Sequence, residues 1–210
     1  MVQIHRQRYP SRMILEVTLL LAGLSVASGS ICCPPKQFSA FQYITFVNSR
    51  TTARALHSFV YDRINQRYLV SSNPDDNFFI GTAKVIYDYR KKVGYSINTE
   101  SKTCSKFPVQ GNFEDQENVC VPSGADSLGP FFYGYNRNRL NSLSYTYNST
   151  AFDGRQQIVD ATVTRDGCIP ITITTTTFGG KGGNSLYTVG YNDFYAGLRD
   201  DTFFDIPSYC

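Results

Sequence analysis

Apolar and aromatic residues alternate with polar ones along most of the chain, and clusters of Gly, Asn, Asp and Pro interrupt the alternation. This pattern predicts antiparallel strands joined by tight turns. Val85, Tyr87 and Tyr89 alternate with Lys84, Asp88 and Arg90, and Tyr95 and Ile97 follow a turn at Lys91 to Gly94, which predicts a hairpin. Phe131, Tyr133 and Tyr135 form another strand, ending in the polar turn Asn136 to Asn141, after which Leu143, Tyr145 and Tyr147 resume the alternation. Val159, Ala161 and Val163 lead through Asp166-Gly167 to Ile169, Ile171 and Ile173, and the threonines 174 to 177 extend that strand because β-branched residues suit a pleated surface. The glycine-rich stretch Gly179 to Gly183 turns the chain before Leu186, Tyr187 and Val189. Helical periodicity is weak, and Asn192 to Leu198 is the best place for a short helix. No linker divides the chain and no internal repeat is visible.

The N-terminus breaks this pattern. Arg6, Arg8 and Arg12 precede an apolar run from Met13 to Val26, and Ala27, Ser28 and Gly29 close it, with Glu16 as the one charge inside. The run is shorter than the ~20 apolar residues of a membrane-spanning helix, so residues 1–29 read as a signal peptide cleaved after Gly29. A short N-terminal core helix or anchor is the alternative. Residues 30–210 are then expected to be one exported domain without a transmembrane anchor.

Charge belongs largely to that leader. The full chain carries twenty Lys and Arg against seventeen Asp and Glu. Removing three arginines and one glutamate leaves seventeen against sixteen. A balance of +1 with signs mixed along the chain gives no electrostatic footprint for nucleic acid or an anionic membrane. Arg90-Lys91-Lys92 reads as a solvated turn.

The fifteen Tyr and fifteen Phe, with no Trp, have two readings. Tyr in strands is ordinary sheet packing, with the ring buried and the hydroxyl wet. The same residues could instead wall a cavity for an apolar ligand, which needs a dry surface and a few orienting polar groups.

Catalytic signatures are sparse. His57 is the single histidine after residue 29, it sits in a strand pattern, and no G-x-S-x-G elbow accompanies it. The glycine cluster around Lys181 lacks phosphate-loop spacing. Asn148-Ser149-Thr150 is an N-glycosylation acceptor, and Asn118-Val119-Cys120 is at most a rare variant of one.

Several of these segments together resemble ependymin-related proteins. They include Ala55-Leu56-x-Ser58-Phe59-x-Tyr61-Asp62 with Asn65-Gln66-Arg67, then Tyr87-Asp88-Tyr89 and Val93-Gly94-Tyr95-Ser96-Ile97-Asn98. Thr103-Cys104-Ser105-Lys106, Cys168-Ile169-Pro170-Ile171, and finally Phe194, Gly197, Asp200, Phe203, Pro207 and Cys210 continue the same order. The resemblance implies an all-β, mainly antiparallel fold with one or two short helices. In it, two stacked curved sheets enclose a deep hydrophobic pocket, similar to bacterial lipoprotein-carrier folds. Alternate residues would line such a pocket, and the expected walls are Phe59, Tyr61, Val85, Tyr87, Tyr89, Tyr95, Ile97, Tyr133, Val163, Ile171, Ile173, Tyr187 and Val189. A slip of one residue would reverse any strand's assignment.

Six cysteines allow fifteen pairings. The family pattern implies Cys33 with Cys168 and Cys104 with Cys210. That leaves Cys32 and Cys120 to pair with each other or to link protomers, and the adjacency of Cys32 and Cys33 makes an exchange of partners easy. A cysteine metal site lacks C-x-x-C spacing and histidine support. The resemblance further implies a secreted, extracellular homodimer, with lysosomal delivery as another destination, that needs no cofactor other than a possible Ca²⁺. Asp193, Asp200, Asp201 and Asp205 are the candidate ligands, in spacing unlike an EF-hand.

Three classes of function follow. The chain is a non-catalytic binder of a lipid or fatty-acid-like molecule, a calcium-associated adhesive or matrix glycoprotein without a pocket, or a hydrolase centred on His57.

Overall fold

Strands joined edge to edge form the body of the protein, as seen in a computed structural model that describes residues 30–72, 81–116, 119–151, 153–179 and 183–210. The expected signal peptide, residues 1–29, and residues 180–182 of the glycine turn lie outside the described residues. In chain order the elements are β1 (Ser30–Cys32), β2 (Gln37–Asn48), β3 (Thr52–Asp62), β4 (Arg67–Ser72), β5 (Ala83–Asp88), β6 (Val93–Asn98), β7 (Thr103–Pro108), the helical turn α1 (Phe113–Gln116) and β8 (Val121–Pro122). They continue with β9 (Asp126–Tyr135), β10 (Asn138–Thr150), β11 (Gln156–Thr164), β12 (Pro170–Thr177), β13 (Ser185–Ala196) and a 3-10 turn (Asp201–Phe204).

The all-β antiparallel class is found, with one helical turn and one 3-10 turn among the described residues. The two expected sheets are two wings of one eleven-stranded sheet, in the order β7-β6-β5-β4-β3-β2-β13-β12-β11-β10-β9. Each wing is a run of hairpins between sequence neighbours. The wings meet at a central seam where β2 pairs with β13, Ile44 opposite Val189 and Phe38 opposite Ala196. A separate ribbon pairs β1 with β8.

Cross-strand register defines two faces. Phe38, Phe59, Tyr61, Tyr68 and Tyr87 point to one side, here called inner, and register continues that side across the seam to Val189, Ile173, Ala161 and Tyr145. Residues 109–116 and 119–122 cross this inner face and cover it. Val109 and Phe113 join the core of Phe38, Phe59, Tyr61 and Tyr89, while Val121 packs on Tyr145, Ala161 and Val163.

The two wings differ on their outer side. In the β10–β13 wing most outward positions are polar, with Ser144 hydrogen-bonded to Thr162 and Thr174 to Thr188 and with Ile158 and Leu186 as exposed apolar exceptions, so the sequence alternates there. In the β3–β6 wing the outer side is buried as well. There Val60, Leu69, Ile86 and Ile97 lie under Leu198, Phe203 and Phe204 of the C-terminal segment. A strand covered on both faces reads as a continuous apolar run. Phe59-Val60-Tyr61 and Val85-Ile86-Tyr87 are such runs.

The helix expected over Asn192–Leu198 is not formed, because β13 runs on to Ala196. The β2 edge still offers partners there, and Phe194 stacks on Phe38 with ring centroids 4.8 Å apart. A bulge between Asn192 and Tyr195, with Asp193 at φ 49°, absorbs the change of register.

Among the described residues no helix is long and apolar enough to cross a membrane.

Candidate functional site

Three bridges fix what lies over the sheet. Cys104 bonds Cys210, Cα atoms 5.2 Å apart, as the resemblance implied, and fastens the C-terminal segment to β7. The other two correct the expected pairing. Cys32 bonds Cys168 in the β11–β12 turn (Cα–Cα 5.7 Å), and Cys33 bonds Cys120 in the inner cover (Cα–Cα 4.3 Å). Neighbouring residues in extended chain project in opposite directions, so Cys32 and Cys33 must serve different partners. The order of the two is set by β1 lying along β8, which brings Cys33 to Cys120. Among the described residues no cysteine is free.

Arg63 adds a polar clamp to the same cover. Its Nε and Nη2 donate to the two carboxylate oxygens of Glu114 at 3.0 and 2.7 Å, and its Nη1 lies 3.3 Å from Cys120 Sγ. Bidentate geometry of this kind fixes orientation as well as distance.

Between this cover and strands β10 to β12 lies a cavity of about 800 Å³. Its apolar lining is Val119 and Val121 from the cover and Val159, Ala161, Val163 and Ile173 from the sheet, with Tyr147 beside them. Glu114, Gln157 and Thr175 supply polar groups. Burial raises the pKa of the Tyr147 hydroxyl, so the phenol stays protonated well into the alkaline range. Asn112, Asn148 and Ser149 add further polar groups, so the wall is mixed: an apolar patch from the cover and the sheet beside hydrogen-bonding groups that can orient one end of a guest.

A second, smaller cavity of about 510 Å³ opens on the inner face of the other wing. Val70 and Val85 lie on one part of it, and His57, Ser72, Ser96 and Ser105 make the rest polar.

The expected wall residues divide. Val163 and Ile173 line the larger cavity and Val85 the smaller. Val189 is buried on the inner face, Tyr187 is directed inward by its pairing with Phe46 and Thr175, and Ile171 is the extra residue at the bulge where Val163 pairs with Pro170. Phe59, Tyr61, Tyr87 and Tyr89 also lie on the inner side, but they fill it instead of walling a space. Phe113 from the cover sits 5.3 Å from Tyr61 and 5.5 Å from Tyr89, and Tyr68 stacks on Tyr87 at 4.5 Å. These close ring contacts leave no cavity between them, and the space forms on the β10–β12 side, where Ala161 and the valines are smaller.

Two assignments are corrected outright, Tyr95 and Tyr133. Tyr95 and Ile97 pack on the outer side beneath the C-terminal segment, because the β5–β6 register places Gly94 and Ser96 inward, although Ile97 also borders the smaller cavity. Tyr133 is exposed on β9, opposite Leu140, away from either cavity. The cover residues Val119, Val121 and Glu114 were not among the expected lining, since they belong to a stretch with no strand periodicity.

The acidic candidates are spread among separate tasks. Asp193 pairs with Arg199 at 2.8 Å, and Asp200 caps the 3-10 turn by accepting from the Thr202 N–H at 2.8 Å and hydroxyl at 2.7 Å. Those bonds hold the Asp200 carboxyl below its ordinary pKa. The backbone carbonyl of Asp205 accepts from Lys84 at 3.4 Å. Among the described residues no three acidic, His or Cys side chains are gathered where they could hold a metal ion.

His57 faces inward between Gln42 and Ser72. Among the described residues its buried Nδ1 has no hydrogen-bond partner, and burial lowers its pKa. A catalytic imidazole is oriented through the nitrogen remote from the nucleophile, and among the described residues no such group holds His57. Asn148 stands near the end of β10, paired with Ile158.

Comparison with known proteins adds a lineage to this geometry. Residues 80–210 match the profile of the family described as Ependymin. Ependymin-related protein 1 of Haliotis asinina is 64% identical over 198 residues, covering 94% of this chain and 99% of that protein. Ependymin-related protein 2 of the same animal is 51% identical over 200 residues, covering 94% and 99%. Among solved structures, an uncharacterized conserved protein of Thermus thermophilus aligns with a TM-score of 0.42 at 9% identity, over 83% of this chain and 87% of that one. A LolA superfamily protein of Nitrosomonas europaea aligns at 0.39 and 12%, over 84% and 93%. These structural likenesses are too loose to carry a function across.

Proposed function

The chain belongs to the ependymin family, and from that premise we propose that it is a secreted, non-catalytic binder or carrier of a lipid or similar hydrophobic molecule, held in the cavity between the cover, residues 111–116 and 119–122, and strands β10 to β12. The cavity carries the reading. Its volume of about 800 Å³ falls within the ~300–1,000 Å³ typical of small-molecule sites. The apolar part of its wall is valine, alanine and isoleucine, which reward displacement of water by a hydrocarbon chain at roughly 25 cal/mol per Å² buried. Tyr147, Gln157 and Glu114 are placed to meet a polar end group.

Export fits the three disulfides, which persist in oxidising compartments. Two of them also fit the proposed role. Cys33–Cys120 and the Cys32–Cys168 bridge beside it hold the cover at a fixed distance from the sheet, so the space does not collapse when empty.

The test is binding of a fluorescent fatty-acid probe to the exported chain. Wild-type protein is expected to bind at one saturable site, and Ala161→Trp, which fills the cavity from the sheet side, to weaken binding at least ~tenfold with an unchanged fold. Undiminished binding by Ala161→Trp would overturn the assignment.

A further inference from the structure

The Cys33–Cys120 bridge differs from the other two in what surrounds its sulfurs. Nη1 of Arg63 lies 3.3 Å from Cys120 Sγ and 3.9 Å from Cys33 Sγ, and the Ser30 hydroxyl lies 3.1 Å from Cys33 Sγ. Among the described residues no donor reaches the sulfurs of Cys32, Cys168, Cys104 or Cys210. A thiolate opens a disulfide, and the bond breaks faster when the departing sulfur is stabilised as an anion. A guanidinium beside a cysteine lowers its pKa in that way.

Arg63 is held in place for this contact. Glu114 accepts from its Nε and Nη2, which fixes the plane of the group and leaves Nη1 directed at the sulfurs. The same pairing raises the Arg63 pKa, so the side chain stays cationic. Access sets the direction of attack. Cys33 is partly exposed and Cys120 is buried. A small thiol therefore meets Cys33 first, and the leaving group is Cys120, the sulfur nearest Arg63.

We propose that Cys33–Cys120 is a thiol-reducible latch on the cover, opened by a small monothiol of the glutathione class. The thiolate attacks Cys33 Sγ, the S–S bond breaks, and its electron pair leaves with Cys120 as a thiolate beside Arg63. A second small thiol then displaces the first from Cys33. One protein disulfide is reduced to two thiols and two small thiols are oxidised to one disulfide, their two protons passing to the medium or to the freed cysteines. Cys32–Cys168 still ties down β1 and Cys104–Cys210 the C-terminal segment. Residues 119–122 keep only the two-residue strand β8 as sheet pairing, and so short a ribbon is marginal in water. Val119 and Val121 line the larger cavity, so an open latch lets a guest leave, a consequence that rests on the cavity reading above.

The experiment is incubation of the full exported chain with reduced glutathione under native conditions, alkylation of free thiols, and mass mapping of each cysteine. Cys33 and Cys120 are expected to label at least ~tenfold sooner than the other four. Arg63→Gln should slow that labelling at least ~threefold, and Arg63→Lys, which keeps the charge, should slow it less. If Arg63 only braced the cover, its loss would loosen the segment and speed labelling. Faster or unchanged labelling in Arg63→Gln would therefore overturn the proposal, as would equal labelling of all six cysteines. Hydrogen exchange reads the cover itself. In the selectively reduced protein, residues 113–116 and 119–122 are expected to exchange at least ~tenfold faster while β3 to β6 stay protected. Unchanged exchange in the cover, or lost protection throughout the sheet, would sink the latch. Neither readout involves a guest, so failure to bind the fatty-acid probe would count against the cavity reading alone.

Discussion

Arg67 donates from Nε to the side chain of Asp62 at 2.9 Å, and its guanidinium lies over the ring of Phe204, 4.0 Å from the centroid. One side chain thus joins the β3–β4 hairpin to the C-terminal segment. Asp62 is fully buried and also accepts from Gln37 Nε2 and from both the backbone N–H and the side chain of Asn65. Burial pushes its carboxyl up, but the hydrogen bonds from Asn65, Arg67 and Gln37 outweigh that and hold it below the ordinary value.

A depressed carboxyl pKa stabilises the folded state above the unfolded value, near ~3.9, and the contribution is lost as pH falls through the folded value. Acid unfolding of wild type should therefore steepen below about pH 4. Asp62→Ala strands four donors in a buried site and should cost about 3 kcal/mol in urea titrations at neutral pH. A variant within about 0.5 kcal/mol of wild type, the noise of surface substitutions, would contradict this account.

His57 gives the opposite sign. Burial lowers its pKa, so the unfolded chain takes up a proton first and stability declines as pH drops below the unfolded value of about 6.5. In NMR titration the imidazole should titrate below that value, and His57→Gln should flatten the pH dependence of melting between about pH 5 and 7. A titration midpoint at or above the ordinary value would show that the ring is solvated.

The bridge assignment can be read from thiol counts. Cys33→Ser/Cys120→Ser removes one bridge and should leave no reactive thiol in the denatured protein. Cys33→Ser/Cys168→Ser breaks two bridges and should leave Cys32 and Cys120 unpaired. The reverse pattern would restore the pairing expected from the family. By chain entropy, loss of the bridge spanning 87 residues should cost about 4–5 kcal/mol.

Gly94 has no room for a side chain. A Cβ there would overlap the ring of Phe107, which packs edge-on against Tyr87 at 5.4 Å. Gly94→Ala must displace that ring and should lower stability by about 1–3 kcal/mol, visible as a lower melting temperature. Combining it with Phe107→Ala should cost less than the two single changes together.

Hairpins were legible in the sequence wherever one face is wet. Tyr145-Thr146-Tyr147 and Ile171-Thr172-Ile173 alternate because Thr146 and Thr172 face outward; Ile173 lines the larger cavity as expected, and Tyr147, not among the expected walls, lines it too. In β5 and β6 the rule had less to work with. Ile86 between Val85 and Tyr87 marks burial on both sides, and once both faces are apolar, alternation no longer tells inside from outside, which is why Tyr95 and Ile97 were placed on the wrong one. The cavity was the least legible part. A large part of its wall comes from 111–116 and 119–122, stretches without periodicity whose position depends on Cys33–Cys120 and the Arg63–Glu114 pair, contacts that join residues 51 to 87 positions apart.

The β2–β13 seam has a consequence for how the protein is made. β13 is the last strand in chain order, yet it lies in the middle of the sheet, paired across about 150 residues with β2. During synthesis each wing can build its own hairpins from neighbouring sequence. Until β13 emerges, however, β2 and β12 are both open edges, and the inner face beside them is uncovered. Long-range closure of this kind is slow and leaves strand edges open to aggregation. Truncating the chain ahead of Ser185 would therefore remove the join between the two wings and leave two half-sheets, each with an unpaired centre, where loss of a terminal strand in a simple meander would trim only an edge.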